Sequence, residues 1–200
     1  MKHVVIVGHP TETSFNLAEA HAYEDAAHAL GHEVLLRDLY RLNFDPRLQD
    51  GEVPRPAGFA PDDWVREERA RIADADVFAF VYPLWFNMPP AIIVGYVQRI
   101  FGMGFGYSSI RQGGNRPLLP GRRLFTCSTS GAPLEWVRTE GAWDSIRNLL
   151  DDHLAEMCGL TVIDHLHMGR VLSTTPKTIL EAHLRHVGEA VKRRFGPPDI

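Results

Sequence analysis

Val4-Val5-Ile6-Val7-Gly8-His9-Pro10-Thr11-Glu12-Thr13-Ser14-Phe15-Asn16 is the stretch that decides the fold. Val4 to Val7 is an unbroken β-branched run, the pattern of a strand buried on both faces. Ser14 or Thr13 can cap a helix that continues to about Leu30, where Gly31 stops it. The connection between them is short and polar, so strand and helix form one tight unit.

The same alternation repeats outward. Glu33 to Leu36 reads as a second strand, Val77 to Tyr82 as a third, Arg123 to Ser128 as a fourth and Leu160 to Leu166 as a fifth. Helices are expected over Asp62–Ala73, Pro90–Phe101, Trp143–Met157 and Thr178–Phe195. The Pro-rich stretch from Asn43 to Pro61 is long for a connection, which marks it as functional or mobile. Buried strands with helical crossovers imply an α/β fold, a doubly wound five-stranded parallel sheet covered on both faces. A chain of 200 residues suits a single domain over 1–200. Such a sheet binds its ligand beyond the carboxyl ends of its strands, near the point where strand order reverses. The chemistry is therefore expected in the loops that begin at Gly8, Tyr82 and Thr129.

Composition narrows the classes. The hydrophobic fraction is 44%, the charged fraction 23% and the net charge −4. These values fit a soluble globular protein and argue against a nucleic-acid binder held by phosphate contacts. Two cysteines, Cys127 and Cys158, sit in apolar stretches, which suits a reducing cytoplasmic compartment. The amino-terminal segment turns polar too soon for a signal peptide, and no apolar run reaches the ~20 residues of a membrane span. The ten histidines show no spacing that demands a metal. His165 and His167 share a strand face and His183 and His186 a helix face, and both pairs read as surface or satisfied core.

In the first loop, free N–H groups and the helix dipole make an anion site, to which the hydroxyls of Thr11, Thr13 and Ser14 can add donors. Neither a Gly-rich dinucleotide pattern nor a Walker lysine is present. Read alone, the segment is as readily an ordinary capped helix with a loop histidine. The second loop, Tyr82-Pro83-Leu84-Trp85-Phe86-Asn87-Met88-Pro89-Pro90, offers apolar walls and backbone donors for a flat ring, or else a core corner. In the third, Ser128-Thr129-Ser130-Gly131-Ala132-Pro133, small residues let the backbone approach a ligand and donate N–H groups to negative charge; a plain turn is the other reading. Arg111, Arg116, Arg122 and Arg123 form a basic stretch that either greets a dinucleotide phosphate or is simply solvated.

Together these segments resemble one family, the flavodoxin-like NAD(P)H:quinone oxidoreductases. The matching stretches are His9-Pro10 with Thr13-Ser14-Phe15-Asn16, Asp38-Leu39-Tyr40, Phe44-Asp45-Pro46, Ala75-Asp76, Tyr82 to Phe86, Met88 to Ile92, Arg99-Ile100-Phe101, Gly104 to Tyr107 and Thr129-Ser130-Gly131. They occur in family order over roughly residues 2 to 160. The resemblance implies a non-covalent flavin, FAD or in some members FMN, with NADPH or NADH as electron donor and a quinone-like acceptor reduced by two electrons in ping-pong fashion. It implies that His9, Ser14, Phe15 and Asn16 lie near the cofactor's phosphates. Pro83, Leu84, Trp85, Phe86 and Asn87 would lie along the ring, and Thr129, Ser130, Gly131 and Ala132 along its pyrimidine edge. Gly106, Tyr107 and Ser108 match the substrate-side segment. A homodimer with flavin sites at the interface is also implied, as is an alternative role as ancillary flavoprotein of a potassium-efflux system. The family's Tyr and His that follow the third loop fall here on Val137 and Trp143, and its helix Lys on Val94. No catalytic acid is therefore assigned.

Overall fold

The computed structural model describes residues 1–55, 58–108 and 116–197. Five strands, β1 (Lys2–Val7), β2 (Glu33–Asp38), β3 (Val77–Pro83), β4 (Arg123–Thr129) and β5 (Thr161–Met168), pair in parallel in the order β2-β1-β3-β4-β5. Strand order therefore reverses between β1 and β3, and the loops after these two strands open at the switch point.

Both faces of the sheet are covered because its strands alternate two apolar sets. Val4, Ile6, Phe78, Phe80 and Leu124 pack on one side with Ile93, Tyr96 and Ile100 of α3 (Ala91–Ile100). Val5, Val7, Ala79, Val81, Phe125 and Cys127 pack on the other, beneath α1 (Phe15–Ala29) and α7 (Lys177–Phe195). Ser14 caps α1, its side chain accepting from Leu17 N–H, and Pro90 precedes the first residue of α3. Helix α2 (Asp63–Arg71) starts at Asp62, whose carboxylate accepts from Val65 N–H.

The region after β4 departs from expectation. A short helix, α4 (Leu134–Thr139), was not foreseen. The expected helix over Trp143–Met157 is present as one unbroken run, but its middle is π-helical: α5 (Ala142–Ile146) passes through a π segment, Arg147–Asp152, into α6 (His153–Cys158). Gly141, at φ 71°, makes the left-handed turn that separates α4 from α5. A π segment widens the helix by one residue per turn and changes which side chains face inward. Apolar spacing does not reveal it, because the pattern still reads as helical.

The Pro-rich stretch is fastened rather than loose. Gly95 of α3 lies against Pro46, so closely that a Cβ there would stand 2.3 Å from Pro46 O. Gly95→Ala is expected to cost about 1–3 kcal/mol through this backbone overlap, read as a lower urea midpoint. An unchanged midpoint would show that the stretch does not rest on α3.

Candidate functional site

The three loops named from sequence meet at the carboxyl edge of the sheet, around a cleft of about 390 Å³. His9, Ser14, Phe15 and Asn16 line it from the first loop, Pro83, Leu84 and Trp85 from the second, and Thr129, Ser130 and Gly131 from the third. Its size and mixed lining suit a small-molecule or cofactor site.

The first wall is the start of α1. Ser14 Oγ takes Leu17 N–H at 3.2 Å, and Ser14 O takes Ala18 N–H at 3.1 Å. Phe15 and Asn16, as the first two helical residues, keep backbone N–H groups without an intrahelical acceptor. They stand at the positive end of the helix, where an anion is stabilised. His9 adds a donor of defined direction. Thr11 N–H donates to His9 Nδ1 at 3.0 Å, so the neutral ring carries its proton on Nε2. Burial pushes the His9 pKa down and favours this neutral form. Arg41 fixes the loop from behind, donating to His9 O at 3.1 Å and Pro10 O at 2.7 Å.

Asn16 does something else with its side chain. The amide is almost fully buried and donates to Glu19 Oε2 at 2.9 Å and Thr129 Oγ1 at 3.1 Å. It is a brace between α1 and the end of β4, and only its backbone is free for a ligand. Glu19 beneath it is completely buried, and Glu19 Oε1 has no hydrogen-bond partner among the described residues.

In the second loop, Trp85 N–H donates to Met88 O at 2.9 Å and Met88 N–H to Trp85 O at 3.0 Å. Phe86 and Asn87 both sit at φ 55°, a tight reversed turn of the hairpin type. It holds Phe86 out of the cleft, 94% exposed, while Trp85 contacts the His9 ring at 5.5 Å between centroids. In the third loop, Leu84 N–H donates to Thr129 O and Ser130 N–H to Met168 O. Gly131 N–H has no protein acceptor among the described residues. A Cβ on Gly131 would come within 3.0 Å of Leu172.

Not every expected residue lines the cleft. Phe86, Asn87 and Ala132 flank it in sequence without lining it. Gly106, Tyr107 and Ser108 lie elsewhere: Tyr107 borders a separate cavity with Gly102 and Met103, beside the last turn of α3. None of the three lines the cleft. Arg123 opens β4, at the end opposite Thr129, so neither it nor Arg122 approaches the cleft. Arg111 lies outside the described residues. Conversely, Val171, Leu172 and Ser173 after β5, and Leu180 of α7, line the cleft and were missed. The signal was available, since β5 in a parallel sheet must end at the same edge.

Val137 is fully buried, and Trp143 covers two histidines, with ring centroids 4.7 Å from His165 and 5.5 Å from His167. Neither offers an acid to the cleft. Cys127 and Cys158 are free thiols, both buried. Among the described residues no group of three or more His, Cys, Asp or Glu could hold a metal, and no helix is long and apolar enough to cross a membrane.

A family model for the flavodoxin-like fold matches residues 1–191. An uncharacterised NAD(P)H oxidoreductase of Haemophilus influenzae is 32% identical over 166 residues, covering 82% of this chain and 81% of that protein. NAD(P)H dehydrogenase [quinone] 1 of Cavia porcellus is 29% identical over 149 residues, covering 64% of this chain; the match spans 53% of the Cavia protein. Among solved structures, an NAD(P)H:quinone oxidoreductase from Methanothermobacter marburgensis superposes with a TM-score of 0.83 at 26% identity, covering 96% of each chain.

Proposed function

This chain belongs to the flavodoxin-like NAD(P)H:quinone oxidoreductase family, and from that membership we propose that it is a flavin-dependent NAD(P)H oxidoreductase acting on quinone-like acceptors. The observation that carries the proposal is the convergence of a capped helix start, an aromatic loop and a small-residue loop on one cleft. The residues present fit a flavin. Phe15 and Asn16 N–H with His9 Nε2–H are placed for its phosphate end. Leu84 and Trp85 form one wall for its ring and Thr129 to Gly131 the other, with Gly131 N–H as a donor to the ring's polar edge. Phe15, Leu172 and Leu180 make an apolar surface beside the helix start, which favours FAD, with its adenosine, over FMN.

When bound, the flavin supplies the hydride-accepting chemistry between NAD(P)H and the acceptor. The protein's part is orientation, exclusion of water and fixed dipoles around the ring. Trp85, Phe86 and Met88 leave an exposed apolar face beside the cleft. A second copy closing there makes the homodimer of this reading, and its Gly106–Ser108 segment then has a route to the neighbouring site.

The test is direct. The purified protein is expected to be yellow, to release FAD on heating as identified by chromatography, and to oxidise NADPH or NADH with a small quinone. Release of FMN instead would overturn the FAD assignment alone. A colourless protein that gains no flavin absorbance after incubation with FAD or FMN would overturn the whole reading.

A further inference from the structure

A polar chain runs through the sheet behind the third loop. His165 Nδ1 meets Asp151 Oδ2 at 2.6 Å, and His165 Nε2 meets Ser128 Oγ at 2.8 Å. Ser128 Oγ meets His167 Nδ1 at 2.8 Å, His167 Nε2 meets Ser130 Oγ at 2.9 Å, and Ser130 Oγ meets Ala132 O at 2.7 Å. Asp151, Ser128 and the His165 side chain are almost completely buried. Two irregularities assemble the chain. Register shifts at Leu124/Phe125, so Val162 pairs with Leu124 but Asp164 with Phe125; the extra residue turns His165 and His167 to the face of Thr126 and Ser128. The π segment then brings Asp151 over them.

Counting protons shows what the chain requires. With Asp151 ionised and both imidazoles neutral, two ring N–H and two hydroxyl protons serve five contacts. Each contact needs one proton, so all five are satisfied only when one more is present. It belongs on His165, as an imidazolium paired with Asp151. In that state every bond points away from Asp151: His165 Nε2–H donates to Ser128, Ser128 to His167 Nδ1, His167 Nε2–H to Ser130, and Ser130 to Ala132 O. When His165 is neutral, its proton stays on Nδ1 facing the carboxylate. Four protons then leave one contact open, and it costs least at Ala132 O, which keeps Arg170 N–H at 3.1 Å: Ser128 donates to His165, His167 donates from Nδ1 to Ser128, and Ser130 donates to His167 Nε2. Ala132 O loses the Ser130 proton, and two oxygens 2.7 Å apart face each other without a hydrogen.

We propose that Asp151, His165, Ser128, His167 and Ser130 form one proton-responsive positioning chain for the loop Ser130–Ala132, with its bond directions set by the charge on His165. Protonated, it adds the Ser130–Ala132 tie to the loop that edges the cleft; deprotonated, it drops that tie and leaves the loop to its backbone bonds, Val171 N–H to Ser130 O at 2.9 Å and Arg170 N–H to Ala132 O at 3.1 Å. The bearing on turnover rests on the flavin reading above, whereas the proton count does not. The groups facing the two imidazoles are few. Asp151 also accepts from Thr126 at 3.0 Å, with Arg147 Nε 3.7 Å away. Arg138 lies over the Trp143 ring and faces His167, and Tyr82 lies near Asp151 with burial holding its phenol protonated. Asp164 points to the opposite face of the sheet, where it pairs with Arg194. Burial pushes His167 down to about 4, so it changes tautomer and not charge.

Long-range proton–nitrogen NMR of the purified protein with ¹⁵N-labelled histidine tests this from pH 5 to 9. The expected result is that His167 stays singly protonated but moves its proton from Nε2 to Nδ1, at the same midpoint at which His165 loses its charge. In Ser128→Ala the two rings uncouple, and His167 keeps one tautomer whatever the charge on His165. NAD(P)H turnover in the wild type is expected to show an inflection at the NMR midpoint that Ser128→Ala lacks. A His167 that keeps one tautomer through the His165 titration, or that itself becomes charged, overturns the proposal whether or not flavin is bound. So does a turnover inflection that survives unchanged in Ser128→Ala. A protein that binds no flavin overturns the functional reading and leaves the NMR result standing.

Discussion

Replacing Arg99 by alanine is expected to lower the unfolding free energy by about 3–5 kcal/mol, because it strands a buried carboxylate. The Arg99 and Glu52 side chains are 2% and 3% exposed. Arg99 Nε donates to Glu52 Oε2 at 2.8 Å and Nη2 to Oε1 at 2.6 Å, a two-pronged pair. The same guanidinium donates to Asp62 Oδ2 at 2.6 Å and to Asp45 O at 2.5 Å. One side chain of α3 thus holds the Pro-rich stretch at both ends and at its 3₁₀ turn, Asp50–Glu52. Alanine removes the paired charge and leaves the buried Glu52 carboxylate with Gln49 N–H, at 3.0 Å, in place of the guanidinium. Urea unfolding reads the loss. Arg99→Met combined with Glu52→Leu is expected to recover most of it, since no buried charge remains unpaired. A single variant within 1 kcal/mol of the wild type would show that Glu52 escapes to solvent.

The second large effect is a pH dependence from Glu19. Burial pushes its carboxyl up to about 8 from an ordinary value of 4.5, only partly opposed by the Asn16 amide. In the unfolded chain the group loses its proton near the ordinary value. Between these limits the folded protein holds a proton that the unfolded chain does not, so stability is highest below the window and falls as pH rises through it. From pH 5 to pH 8 the loss from this one group is about 4 kcal/mol. Glu19→Gln removes the titration and keeps the shape. The stability of the variant relative to wild type is therefore expected to rise by about that amount over the window, measured by denaturant unfolding at several pH values. Curves that stay parallel would mean that Glu19 is ionised in the folded state. Asn16 donates to this carboxyl and to Thr129, so the same experiment reports on the floor of the cleft.

Much of the site was legible because it follows from strand order. Five apolar runs separated by helices place the loops at Gly8, Tyr82 and Thr129 at one edge, and the structure gathers His9, Phe15, Trp85 and Gly131 there. The family resemblance added what the proposed ligand is. The side-chain roles were less legible. Asn16 reads from sequence as a ligand group, yet its amide is consumed by Glu19 and Thr129, a residue 113 positions away. Phe86 reads as a pocket wall, yet the reversed turn points it outward. Leu172 and Leu180 carried no motif and entered only because β5 ends and α7 begins at the cleft.

The histidines show the division most clearly. From sequence, His165 and His167 were two imidazoles on one strand face, on the surface or quietly in the core. Local alternation determined that much, together with the parallel sheet, the helix caps and the edge at which the candidate cleft opens, because those depend on neighbours in the chain. Tertiary structure alone decided that the pair meets Ser128, Ser130 and Asp151. That meeting depends on a one-residue register shift between two strands and on a π segment, and neither leaves a mark in hydrophobic spacing.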